Sequence, residues 1–193
     1  MADSAVILVD YDNVSLIRDE RTTGDVANNL ADVVPASVVE AKRTFGDTKE
    51  IVFRLYGGWV DEKGVHSYKA QWLTTALAWY RGRMSGTIVK PSLVTALACR
   101  TMDTLLGTVR NSGAGYQQKM VDTMMVVDAI HYARDEAVPT LLFSDDEDLL
   151  PAALAVSAMA PGVPFHWLRR RKVGSALNDG LLKRAKITIG SVP

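Results

Sequence analysis

Short apolar runs alternate along the chain with longer segments in which apolar side chains recur at helical spacing. The short runs predict buried strands at residues 5–9, 50–56, 93–98, 105–109, 140–143, 164–168 and 187–189. The longer segments predict helices at residues 33–45, 68–80, 119–134, 147–159 and 175–183. Strands that alternate with helices favour an α/β fold, a three-layer sandwich whose mainly parallel central sheet is covered on both faces.

The composition is that of a single folded domain. The chain has 193 residues, of which 48% are hydrophobic and 23% charged, and we expect one domain over residues 1–193. Its one cysteine, Cys99, excludes an intrachain disulfide and a thiolate metal cluster, and its apolar neighbours predict that it is buried. The first residues contain neither a basic region nor a long apolar run. We therefore expect no signal peptide, no membrane span and a cytoplasmic location.

Charge is distributed unevenly along the chain. The formal net charge is zero, but from residue 166 onwards seven lysines and arginines accompany a single acidic residue, Asp179. Three of the seven are consecutive: Arg169, Arg170 and Arg171. A basic run of this kind suits either a contact with a polyanion or an ordinary solvated edge.

Aspartates follow two of the predicted strands and begin the longest predicted helix. They are Asp10 and Asp12 after the first strand, Asp122 in the helix, and Asp145, Asp146 and Asp148 after the strand at residues 140–143. The carboxyl ends of parallel strands meet at one edge of a sheet, so we expect Asp10 and Asp146 to converge there and Asp122 to supply a third wall. Carboxylates this close favour a hard divalent cation, Mg²⁺ or Mn²⁺, whereas no histidine or cysteine spacing favours zinc.

Local structural roles compete with the metal-site interpretation. Asp12 or Asn13 would suit a turn after the first strand, and acidic residues at 145–148 would suit the start of the following helix. Each role alone is as good an explanation as a functional site. Because an apolar strand ending in an acidic cluster occurs twice, and Asp122 adds a third acidic position, we prefer the metal site.

Three motifs resemble those of NYN domains, a branch of the PIN-like nucleases. The first is Val-Asp-Tyr-Asp-Asn-Val at residues 9–14, which resembles the opening motif of that family. The second, Lys119 to Asp122 followed by Asp128, is similar to its Lys-Gly-Val-Asp helix start. The third, residues 143–149, is similar to its Ser-Gly-Asp-Ser-Asp-Phe segment, and residues 175–189 look like its closing helix and strand. Residues 57–115 match nothing familiar, and we expect them to be a family-variable stretch.

The resemblance implies a PIN-like, Rossmann-type fold and a role for each matching residue. The metal-binding and catalytic carboxylates would be Asp10, Asp122, Asp146 and Asp148. Supporting or substrate-binding roles would belong to Asn13 at the metal-bound water or phosphate, Ser144 in the loop, and Lys119 beside Asp122 or a phosphate. Asp128 lies six helical positions beyond Asp122, about 120° around the helix, which favours a structural role. Asp145 departs from the family by replacing a glycine, and Ala185 and Lys186 replace a more usual acidic residue.

The expected function is therefore that of an endoribonuclease that hydrolyses RNA phosphodiester bonds with Mg²⁺ or Mn²⁺. Single-stranded or structured RNA would be the partner, and Arg169 to Arg171 would hold it. No membrane is expected as a partner, and a homo-oligomer is compatible with the sequence. One alternative is a haloacid-dehalogenase-type phosphatase with Asp10 as nucleophile and Asp12 as general acid, which would leave Asp122 unused. The other is a catalytically silent RNA-binding or protein-interaction module.

Overall fold

Strands and helices alternate along the chain, as its hydrophobic pattern predicts. The computed structural model describes residues 3–18, 20–84, 86–99, 108–111, 116–118, 120–170 and 175–192. The described strands are β1 (Ser4–Asp10), β2 (Glu50–Tyr56), β3 (Gly82–Met84), β4 (Thr87–Leu93), β5 (Val109–Asn111), β6 (Tyr116–Gln118), β7 (Thr140–Phe143), β8 (Phe165–Arg169) and β9 (Thr188–Ser191). The described α-helices are α1 (Tyr11–Val14), α2 (Thr23–Phe45), α3 (Tyr68–Leu77), α4 (Val121–Ile130), α5 (Leu150–Met159) and α6 (Ala176–Arg184).

Seven strands form one sheet in the order β3-β4-β2-β1-β7-β8-β9. All neighbouring strands in it are parallel except β3 and β4, which are antiparallel. β5 and β6 form a separate antiparallel pair. The central strand β1 is an unbroken apolar run from Ala5 to Val9, and all of these residues are fully buried, as a strand covered on both faces requires. The predicted α/β fold with a mainly parallel sheet is confirmed.

Helices cover both faces of this sheet. Ile7 and Val9 of β1 pack in one apolar cluster with side chains of α2 and α3. Val6 and Leu8 point to the other face and pack in a second cluster with side chains of α4, α5 and α6. The alternation along β1 therefore separates the two cores of a three-layer sandwich. Among the described helices, none combines the length and the apolar character that a membrane crossing requires.

The first long helix begins ten residues before the predicted start at residue 33. Thr22 caps α2: its side chain accepts a hydrogen bond from the Asp25 backbone, and the Asp25 side chain accepts one from the Thr22 backbone. Val26 and Leu30 extend the buried apolar face toward this cap. The helix ends at Gly46, whose φ of +86° is a conformation that glycine adopts without steric cost.

The prediction of a strand at residues 93–98 is wrong. The strand at this place in the chain is β4, which ends at Leu93 and contains a proline, Pro91. β3 pairs only with residues Thr87 to Val89 of β4. At Pro91 the strand therefore has no described neighbour on that side, and the N–H group that proline lacks is not needed for a hydrogen bond there. Of the strand predicted at 105–109, residues 105–107 lie outside the described residues. Cys99 is exposed rather than buried, because the chain has left the sheet before reaching it.

Candidate metal centre

The carboxyl ends of β1 and β7 lie side by side at one edge of the sheet. Val9 pairs with Phe143 in parallel register, which places Asp10, the last residue of β1, beside Ser144. The Ser144 hydroxyl donates a hydrogen bond of 2.8 Å to Asp10 Oδ2, and the Asp146 backbone N–H donates one of 3.0 Å to Ser144 Oγ. The predicted convergence of Asp10 with Asp146 is confirmed, and Ser144 connects the two.

Asp122 approaches the same edge from the first turn of α4. Val121 anchors the start of this helix in the core that lies on the α4 face of the sheet. Met120, the residue before the helix, has a left-handed backbone with φ of +63°, which a residue other than glycine seldom adopts. One carboxylate oxygen from each of Asp10, Asp122 and Asp146 lies within 4.8 Å of the other two. We call these three residues the aspartate triad.

The aspartate triad lines an open cleft of about 290 Å³. The residues that line this cleft are Asp10, Asp12, Asn13, Met120, Val121, Asp122 and Asp146. Burial raises the pKa of Asp10 to about 6, although hydrogen bonds from Ser144 and Asn13 act in the opposite direction. The pKa of Asp122 is also raised, by burial and by the negative charges of Asp146 and Asp148. These shifts show that the fold brings negative charge together at this edge at an electrostatic cost.

Hydrogen bonds fix the orientation of two carboxylates of the triad. Asp10 Oδ2 accepts from the Asn13 side-chain amide at 3.1 Å as well as from Ser144. Asp146 Oδ1 accepts from the Asp148 backbone N–H at 2.9 Å. One oxygen of each carboxylate is therefore held by hydrogen bonds, and within the described part of the chain no hydrogen bond holds the other. This is the arrangement in which neighbouring groups orient a metal ligand.

Asp148 does not belong to the aspartate triad. Its side chain is exposed, it lies outside the group whose oxygens approach within 4.8 Å, and it influences the site through its charge near Asp122. Asp145 points away from the cleft, where its Oδ1 accepts a hydrogen bond of 2.8 Å from the Arg170 backbone. The φ of Asp145 is not positive, so the family's glycine is not required at this position.

The described arginines of the basic run point into the protein. Arg169 is 3% exposed, donates a hydrogen bond of 2.6 Å to Asp179, and lies 4.8 Å from the centre of the Trp167 ring. Arg170 forms an ion pair with Asp32 and donates to the Val14 carbonyl. Arg169 and Arg170 were expected to hold RNA as an exposed run, but both side chains point inward and pair with Asp179 and Asp32. Arg171 and Lys119 lie outside the described residues.

Asp128 lies away from the cleft, as its position on the helix predicts. Its carboxylate is fully buried and accepts hydrogen bonds from Arg54 at 2.8 Å, the Tyr56 hydroxyl at 2.6 Å and the Ala98 backbone at 2.8 Å. These contacts connect α4 to β2 and to the chain after β4. Asp128 therefore has a structural role on the same helix that carries Asp122.

Lys69 is a charged neighbour of the cleft that the sequence motifs miss. Its ammonium forms an ion pair with Asp12, which lines the cleft, and with Glu20 at 2.7 Å. The second oxygen of Asp12 accepts a hydrogen bond of 3.3 Å from the Gly58 backbone. Lys69 and Asp12 are 57 positions apart, and Lys69 lies in the stretch without a familiar motif, so no local signal connects them.

Compared with protein-family models, with curated proteins and with solved structures, this chain gives no match. The chemistry available at the cleft therefore follows from its own residues. Three carboxylates supply oxygen ligands, which Mg²⁺, Mn²⁺ and Ca²⁺ accept, and the described lining contains no histidine or cysteine for a softer metal.

Proposed function

We propose that this protein is a Mg²⁺- or Mn²⁺-dependent endoribonuclease whose metal is held by Asp10, Asp122 and Asp146. The observation that carries the proposal is the approach of these three carboxylates within 4.8 Å in an open cleft. They come from three separate segments, and two of them have raised pKa values. Such a cluster fits a hard divalent cation, because the cation relieves the repulsion that the fold maintains.

A bound divalent cation would stabilise negative charge on a phosphodiester and lower the pKa of water. The residues of the chain orient and support this chemistry. Ser144 and Asn13 each donate to one oxygen of Asp10, which leaves its second oxygen for the cation. The Asp148 backbone holds one oxygen of Asp146 in the same way, and the exposed Asp148 carboxylate adds negative charge at the rim of the cleft.

RNA as the substrate is supported by the resemblance of three motifs to NYN domains and by the openness of the cleft to a polymer. The side chains that contact RNA are proposed to lie around the cleft rather than at Arg169 and Arg170. These two arginines have internal partners. A cytoplasmic location is proposed from the single, exposed cysteine, since the chain has no disulfide to preserve.

The phosphatase alternative receives less support from the same cleft. It requires Asp12 to carry a proton as a general acid. Asp12 instead pairs with the Lys69 ammonium and accepts a hydrogen bond from the Gly58 backbone, so both of its oxygens already have partners in the protein. A catalytically silent binding module also explains less. Burial raises the pKa of Asp10, so its charged form lowers the stability of the fold at neutral pH, and a silent module gives no reason for keeping it.

The proposal is tested with labelled single-stranded RNA incubated with Mg²⁺, Mn²⁺ or EDTA. We expect cleavage with either metal, none in EDTA, and a loss of at least about a hundredfold in Asp146→Asn, by analogy with removing one electrostatic group from an active site. Asp47→Asn is the matched control, because Asp47 is an exposed aspartate between α2 and β2. Intact RNA under all conditions, or cleavage by Asp146→Asn at the wild-type rate, would refute the proposal. Hydrolysis of small phosphate monoesters through a trapped aspartyl phosphate would support the phosphatase instead.

A further inference from the structure

Asp12 is a fourth carboxylate of the cleft. It lies two residues after Asp10 in the short helix α1 and lines the same cleft as the aspartate triad. Two-metal sites hold their ions about 3.5–4 Å apart and need more carboxylates than a single ion does. The role of Asp12 therefore decides how many ions the cleft can bind.

Both oxygens of Asp12 are engaged by the protein. Lys69 Nζ pairs with Oδ1, and the Gly58 backbone N–H donates to Oδ2 at 3.3 Å. The turn that contains Gly58 packs closely here: a Cβ on Gly57 would lie 3.0 Å from Asp12 Oδ2 and 2.6 Å from the Trp59 ring. Only glycine at position 57 permits this approach. The Asp12 carboxylate is thus held toward α3, and each of its oxygens already has a partner in the protein.

Lys69 is itself held in place by a second carboxylate. Its Nζ lies 2.7 Å from Glu20 Oε2, and the other oxygen of Glu20 accepts from the Tyr11 hydroxyl and from Asn29 at 2.7 Å. The Lys69 ammonium also lies 5.0 Å from the centre of the Tyr11 ring. These contacts connect α1, the chain before α2, and α3 through one ammonium group.

The position of Lys69 in α3 is unfavourable without these carboxylates. It is the second residue of the helix, where the positive end of the helix dipole repels a cation. Its side chain is 23% exposed, and burial by itself would lower its pKa, but Asp12 and Glu20 outweigh burial and raise it. Lys69 is therefore a permanent cation whose place in the fold is explained by its two partners.

We propose that Lys69 is a positioning residue that restricts the cleft to a single divalent cation. Its ammonium neutralises Asp12 and keeps it out of the ligand set formed by the aspartate triad. This inference rests on the proposed function, because it takes the triad as the metal site. It specifies that the chemistry at this cleft uses one ion. Lys69 takes the place beside Asp12 where a second ion would otherwise bind.

The test counts Mn²⁺ ions per chain by equilibrium dialysis and by the electron paramagnetic resonance signal of unbound Mn²⁺. We expect one ion in the wild type and none at this affinity in Asp10→Asn. Lys69→Met should bind a second, weaker ion, because Asp12 and Glu20 lose their common cation. Adding Asp12→Asn to Lys69→Met should restore one ion. Lys63→Met, at an exposed lysine before α3, is the matched control and should keep one ion.

A separate variant keeps the inference testable if Lys69→Met fails to fold. Asp12→Asn alone should bind one Mn²⁺ with a Kd within about twofold of the wild type. If Asp12 were a ligand, or oriented one, the Kd would rise by about 10- to 100-fold. That rise would overturn the inference, as would two ions in the wild type or one ion in a folded Lys69→Met; in all three cases the aspartate triad remains a metal site. No ion in the wild type would overturn the proposed function itself.

Discussion

Replacing Asp10 by asparagine should stabilise the metal-free protein at neutral pH. The Asp10 carboxyl has a pKa of about 6 in the fold, chiefly because it is buried, against 3.8 ordinarily. The folded state therefore holds this proton more tightly than the unfolded chain does. The resulting stability is complete below about pH 4 and is lost as the pH rises through 6. At about 1.4 kcal/mol per pKa unit, the loss amounts to about 3 kcal/mol at pH 7.5.

Asparagine avoids this loss, because it stays neutral at every pH and its carbonyl can still accept from Ser144 and Asn13. Urea unfolding in EDTA should show equal stability of the two proteins near pH 4. The Asp10→Asn protein should become more stable by about 1.4 kcal/mol per pH unit up to pH 6, and the difference should then level off. Asp47→Asn, at an exposed position, should show no such dependence.

Metal should reverse the order of the two proteins. Mn²⁺ at a thousand times its Kd stabilises a protein that binds it only when folded by about 4.1 kcal/mol, which exceeds the loss of about 3 kcal/mol at pH 7.5, and Asp10→Asn should not gain this stability. A stability difference that stays constant from pH 4 to 8 in EDTA would refute the reasoning. So would an Asp10→Asn protein that is less stable than the wild type at pH 7.5, since either result means that burial of the Asp10 charge costs the fold little.

Three further substitutions test separate parts of the structure. Ser144→Ala removes the hydroxyl that holds Asp10 and should raise the Kd for Mn²⁺ by about 10- to 100-fold in calorimetric titrations; an unchanged Kd would contradict this. Asp128→Ala leaves a buried arginine unpaired and should lower the free energy of unfolding by about 3–5 kcal/mol in urea, with little change in Kd for Mn²⁺. Gly190→Ala should lower the free energy of unfolding by about 1–3 kcal/mol, because a Cβ at this position would overlap Glu40. A variant as stable as the wild type would show that the Glu40 side chain moves aside without cost.

The sequence by itself determined the central elements of the fold and the acidic ends of its strands. β1 and β7 are short and contain buried apolar runs at residues 5–9 and 141–143, so their identity as strands follows from the pattern alone. Because both belong to a parallel sheet, the aspartates that follow them had to meet if the strands were neighbours, and they are. Asp10 and Asp146 could be predicted for this reason, and Asp128 could be placed away from them from the helical period.

Tertiary structure alone decided which charged groups face the cleft. The sequence indicates an exposed basic run at Arg169 and Arg170. In the fold, both side chains point inward, because they form ion pairs with Asp179 and Asp32 on the neighbouring helices. Asp148 resembles the other carboxylates in sequence, yet the turn after β7 leaves it outside the aspartate triad. Local patterns indicate which positions are buried, whereas the partner of a long charged side chain depends on which helix packs beside it.

The pairing of Lys69 with Asp12 shows the same limit most clearly. The two residues are 57 positions apart, and they meet because β2 pairs with β1 while the turn after β2 leads into α3. The helical pattern at residues 68–80 includes Lys69 but indicates no partner for it, because an ion pair requires no particular spacing along the chain. The strand order and the packing of α3 against α2 create this contact, so only the folded structure shows how the charge of Asp12 is compensated.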